Sequence, residues 1–207
     1  MAADRNVILT WLADLAAALV SDPEDAADFA RRVAVAAALP ADGFAAEAMD
    51  LMRVVAESID GADGFGRIVP PASADGETGD AAAVMVAIGL AIAGARIDWP
   101  SRPRARAARQ QIADAGERGL AVASAMGGDG AELYGWLSSV ISTSVRVVSD
   151  LAANAVPVVR VETGLSLPST VLAYKLYGDA GRAQEIVDIS GTMTPAIMPT
   201  SFEALAS

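Results

Sequence analysis

The sequence predicts a mainly α-helical protein, a helical bundle or hairpin followed by a small α+β unit of strand–helix–helix–strand order. Three observations predict it. The 207 residues are 53% hydrophobic but only 5% aromatic. The apolar content is therefore mostly Ala, Val, Leu and Ile, and this small-residue bias favours closely packed helices over an aromatic-rich β-sandwich. Apolar residues recur at helical spacing through most of the first 155 positions. The last fifty or so positions instead carry a Val-rich run and several turn signals, as a small mixed unit does. So much apolar surface excludes disorder for most of the chain.

The first helix is marked by Val7, Leu9, Trp11, Leu12, Leu15 and Leu19. Its Asp4 and Asp14 stand where a secretory leader would carry a basic start and an unbroken apolar core, so no leader is expected. Ser21-Asp22-Pro23-Glu24-Asp25 starts a second helix. Ser21 or Asp22 accepts the orphan N–H groups, Pro23 suits the first turn, and the acids favour the positive dipole end. That helix is expected to reach about Leu39 and stop at Pro40. Asp42-Gly43 restarts a helix to about Ile59, with Phe44, Ala48, Leu51, Met52 and Val55 on one face. These elements make up a helical region over 1–59.

Residues 60–79 are dense in Gly, Asp and Pro and read as an acidic linker or long loop. Asp60 and Asp63 have a calcium-like spacing, but no closing Glu follows at the EF-hand offset. A long-helix region is expected over 80–155. It opens with the most apolar run, Ala81 to Ala95, which is shorter than the roughly 20 residues a bilayer requires. The run is therefore read as a buried helix, with no membrane span. Trp99-Pro100 and Pro103 make a turn, and a long helix starts near Arg104. Gly127-Gly128-Asp129-Gly130 ends it, and another helix runs from about Ala131 to Ala155. The two form an antiparallel hairpin with a glycine corner.

In the final region, 156–207, Val156, Val158, Val159 and Val161 form a strand ending at Thr163-Gly164. Pro168-Ser169 opens a short helix to about Tyr177, and Arg182 to Ile189 forms a second. Ser201 to Leu205 supplies the closing strand. Gly178 lies past the first helix end, and Asp179 caps the next helix.

The chain has no Cys and no His. That excludes disulfide scaffolds, Cys/His zinc sites, Cys nucleophiles and a Ser-His-Asp triad within the chain. No cofactor or metal is expected. The net charge of −11 disfavours passive adhesion to nucleic acid or anionic membrane. One local exception stands out. Between residues 96 and 118 six Arg face three acids. Of these, Arg102, Arg104, Arg106 and Arg109 lie at a turn and the start of a helix, where their guanidinium groups suit DNA phosphate or the acidic faces of neighbouring copies.

The segment Leu172-Ala173-Tyr174-Lys175-Leu176-Tyr177-Gly178-Asp179, with Ile186 after it, resembles a LysM-like module. Leu172, Ala173, Tyr177, Gly178 and Asp179 fit its first-helix pattern and Ile186 its second, while Ser190 stands where the module has Asn. A narrower resemblance covers LPSTVLAYKLYGDAGRAQEIV, residues 167–187. It is similar to the C-terminal part of the Mu-like phage tail and DNA-circularisation protein family (the N protein). Leu167, Pro168, Leu172, Ala173, Tyr174, Leu176, Tyr177, Gly178, Asp179, Ala180, Arg182, Glu185, Ile186 and Val187 match the family string without a gap. The basic stretch that usually follows in the family is replaced by Asp188 to Pro195, and its β-rich N-terminal domain is not found.

The resemblance implies a non-enzymatic structural component of a phage tail, of contractile type, in the virion at the baseplate hub. Its implied partners are other tail proteins (hub, tube and tape measure) and further copies of itself in a homo-oligomer. It also implies, as an alternative, a protein that enters the host cytoplasm with the genome and binds DNA ends. A peptidoglycan-binding module is a third reading, with Tyr174 and Tyr177 stacking on sugar rings, although core packing is the commoner use of such tyrosines. Glu162 near Arg160, or Asp179 near Arg182, could form an ion pair, and no acid pair at glycosidase spacing is apparent. Met193 and Met198, on a Pro-rich tail, are core fillers or partner contacts.

Overall fold

The computed structural model describes residues 3–206. Among them the chain forms nine α-helices and one two-stranded antiparallel sheet. It divides into two compact units. The first runs to Trp99 and resumes over Ala105–Leu151, and the second joins Pro100–Arg104 to residues 152 onward.

In the first unit α1 (Arg5–Leu19) begins at Asp4, whose carboxylate accepts the N–H groups of Asn6 and Val7. It buries Ile8, Leu9, Trp11, Leu12, Leu15 and Ala16, and the Trp11 indole donates to the Val69 carbonyl at 2.8 Å. Helix α2 (Pro23–Ala36) is capped by Asp22, which accepts from Glu24 N and Asp25 N. It stops three residues short of the expected Leu39. Pro40 disfavours the helical conformation for the residue before it, and the freed carbonyls of Ala37 and Leu39 accept hydrogen bonds from the Arg5 guanidinium. Helix α3 (Ala41–Glu57) buries Phe44, Ala48, Leu51, Met52 and Val55, the face its spacing predicts.

The segment 60–79 is a loop packed into this unit. It contains the one-turn helix α4 (Ala62–Phe65), and it buries Phe65 and Ile68. Phe65 meets Trp99 edge-on at 5.1 Å between ring centroids. The closing residues of the segment already belong to α5 (Gly76–Arg96). At 21 residues α5 is longer than its apolar run, and it is long and apolar enough to cross a membrane by length and composition. In this fold 67% of its most apolar window is buried against the chain's own helices. Its partners come very close. A Cβ added at Gly89 would lie 2.7 Å from Met52 Sδ, so any larger residue there would have to displace the buried Met52 side chain.

Helix α6 (Arg102–Ala125) begins two residues before the expected Arg104. Pro103 falls in its first turn, where a missing N–H breaks no helical bond. A 3₁₀ turn over Gly127–Gly130, with Gly127 at φ 64°, reverses the chain into α7 (Ala131–Asn154). The pair is antiparallel, since Gly116 faces Ile141 and Gly119 faces Leu137. Ser144 ties α7 to α5 by donating its buried hydroxyl to the Ala91 carbonyl at 2.7 Å.

In the second unit β1 (Val158–Glu162) pairs antiparallel with β2 (Ser201–Leu205) in the register Val158↔Leu205 and Glu162↔Ser201. Between them lie α8 (Ser169–Tyr177), a 3₁₀ turn at Ala180–Arg182 and α9 (Ala183–Ser190). The strand–helix–helix–strand order is thus present. Val156, expected in the strand, is exposed ahead of it, because Pro157 intervenes and strand pairing begins at Val158. The core is small: Leu172, Ala173, Ile186, Met198, Phe202 and Ala204.

Candidate functional site

The C-terminal unit presents its loops as a built surface. The loop from β1 to α8 (residues 163–168) and the loop from α9 to β2 (residues 191–200) are laced together by backbone bonds. Thr163 N donates to the Thr200 carbonyl at 2.7 Å, Met198 N to Leu167 at 3.1 Å, and Ser169 N to Pro195 at 2.8 Å. Thr194 Oγ1 adds a bond to the Ile197 carbonyl. These bonds hold three large apolar side chains in solvent: Leu165 (72% exposed), Ile197 (67%) and Met193 (95%). The two methionines of the tail therefore part company. Met198 is fully buried in the core, whereas Met193 is bare.

The Tyr-Gly-Asp turn sets the angle between α8 and α9. Gly178 ends α8 in the left-handed region at φ 73°, a conformation in which a Cβ is strained. The Asp179 carboxylate accepts the Gly181 N–H, capping the following turn as its position predicts. Leu172, Ala173 and Ile186 are core residues. Tyr177 packs half-buried against that core and its hydroxyl donates to the Leu205 carbonyl at 3.3 Å. Burial pushes its phenol above the ordinary value. Arg182 lies 4.0 Å over the Tyr177 ring and pairs with Glu185, at 2.6 Å, instead of with Asp179. Glu185 sits three residues on along the same helical turn, within easier reach. Tyr174 differs from Tyr177. It is 66% exposed, because it projects from the face of α8 opposite Leu172 and Ala173.

The arginines of α6 do not act as one group. The Arg102 guanidinium donates to the carbonyls of Ala153 and Ala155, and its backbone N–H donates to Val156. Through Nη2 it satisfies orphan carbonyls at the end of α7, while its buried Nε has no hydrogen-bond partner among the described residues. Arg104, Arg106 and Arg109 are exposed, with no acid at ion-pair distance among the described residues. Arg160 and Glu162 approach only to 3.9 Å, both largely in solvent, so the pair contributes little. Among the described residues no three acidic side chains gather to hold a metal ion.

No family model and no curated protein matches the chain. The functional reading rests on its own residues. Sequence reasoning had not singled out Leu165 and Ile197. The available signal was an apolar residue inside turn-forming sequence, Gly164-Leu165-Ser166 and Pro195-Ala196-Ile197, where no regular element would bury it.

Proposed function

We propose that the protein is a non-enzymatic structural subunit of a phage tail, of contractile type, at the baseplate hub or distal tail, where a C-terminal LysM-like module docks other tail proteins. The observation that carries this reading is the strand–helix–helix–strand order of residues 158–205, closed by β1–β2 pairing and turned at Tyr177-Gly178-Asp179. The string of matches to the Mu-like tail family over 167–187 falls on that unit. The laced loops with Leu165, Met193 and Ile197 supply a rigid apolar surface suited to another protein. The neighbours under this reading are the hub, tube or tape-measure proteins, with several copies of the chain in a symmetric particle.

A second reading, a DNA-end-binding protein delivered with the genome, is favoured by one observation. Arg104, Arg106 and Arg109 stand exposed on α6, with no ion-pair partner among the described residues. Quantitative mass spectrometry of purified particles, with antibody-labelled electron microscopy, tests the first reading. A few copies per particle and label at the distal tail are expected, and absence from particles overturns it. Salt-sensitive DNA binding, weakened when the three arginines become Ala, is the signature of the second.

A further inference from the structure

We infer that the helical unit carries a second docking site, independent of the module, for a basic amphipathic helix of another protein. Two adjoining cavities of about 650 and 590 Å³ share Met49 and Leu133, and together they make one groove. Its floor is α5, through Val84, Met85 and Ile88, and its walls are α3 and the start of α7, through Met49, Leu133 and Trp136. From Asp80 to Ile92 the floor runs about 18 Å, which matches roughly three turns of helix laid along it. Trp136 stands 47% exposed at one end of the groove and Met126 50% at the other.

Charge selects the occupant. Asp80, Asp129 and Glu132 line the groove, are exposed, and have no ion-pair partner among the described residues. The cation on this rim, Arg53, is already held by Asp50 at 2.8 Å and Glu57 at 2.7 Å. An apolar trough with an unanswered acidic rim suits a helix with an apolar stripe flanked by Lys or Arg. A second copy of this chain does not fit that description. Its basic stretch on α6 already buries the apolar residues beside it, Ala105, Ala108 and Ile112, and the rest of the chain is acidic.

The test is display of a library of helix-forming 18-residue peptides, with randomised apolar and charged positions, selected on the full chain. Enrichment of sequences with apolar residues at i, i+3, i+4 and i+7 and Lys or Arg beside them is expected. Their binding should fall at least tenfold with Ala45→Lys, which blocks the groove from an exposed position on α3. It should fall about fivefold, and lose its salt dependence, with Asp80→Asn, Asp129→Asn and Glu132→Gln combined. Enrichment of neutral or acidic peptides, binders that ignore both variants, no enrichment, or a dimer that Ala45→Lys dissociates would each overturn the inference. Circular dichroism of each variant separates loss of the site from loss of the fold.

Discussion

In the helical unit α5 is enclosed along most of its length by helices that approach at Gly89, Gly94 and Gly119, and Gly116 lets α6 meet α7. In the C-terminal unit the core cluster has only six buried residues, and the long loops are held by backbone hydrogen bonds together with the burial of Met198. The first arrangement spreads stability over many small contacts, so its weak points are steric, where a methyl group has nowhere to go. The second concentrates stability in a few side chains and turns, so its weak points are deletions. An Ala-rich bundle tolerates exchange of one small apolar residue for another where space allows.

The sharpest way to break the contrast is Ile186→Ala. The side chain is fully buried in the six-residue core, and its removal is expected to cost about 3 kcal/mol. Amide exchange should show the module opening while α1, α3 and α5 stay protected. Loss of protection in both units together would mean that they unfold as one. In the helical unit the matching test is Gly130→Ala, which adds an atom rather than removing one. Its Cβ would collide with the Ala123 carbonyl oxygen, a backbone atom that cannot swing aside. Denaturant unfolding should register a loss of about 2 kcal/mol or more.

Gly178→Ala is a smaller perturbation. Nothing crowds the position, so only the left-handed backbone is strained, and the expected loss is about 1 kcal/mol, read as a lowered midpoint for the module. The smallest effect lies in the ion pairs on α3. The guanidiniums of Arg53 and Arg32 hold the Asp50 carboxyl below its ordinary value. Its stabilising contribution is therefore complete above the ordinary carboxylate range and is lost as pH falls through the lowered value. Because these side chains are well exposed, screening keeps the effect under about 1 kcal/mol. Acid titration of Arg53→Met should show a slightly flatter decline than the unaltered chain.

Much of this architecture was legible in the sequence, and the failures have local causes. The turn signals of the module placed β2 and α8 at their observed bounds, because Pro168, Gly178 and the Pro195–Pro199 tail leave the backbone few choices. The face of α3 followed from spacing alone. The loop at 60–79 was harder to read. Its composition is polar and glycine-rich, yet two side chains, Phe65 and Ile68, anchor it in the core, and composition averages such anchors away. The carbonyl-holding role of Arg102 was not legible, because it depends on carbonyls some fifty positions later. The groove was not legible at all. Each of its walls is ordinary amphipathic helix, and only their spacing leaves half-buried apolar side chains such as Met49 and Leu133 facing a cavity.

The pairing of Pro100–Arg104 with residues from 152 onward has a consequence for synthesis. The second unit needs a short piece that leaves the ribosome nearly fifty residues ahead of the rest, about 3–10 s earlier at ordinary elongation rates. During that interval the nascent chain can form most of the glycine-cornered hairpin but not the module, and Arg102 waits without the carbonyls it will hold. For the same reason a peptide cut out at residue 156 would leave part of its own unit behind.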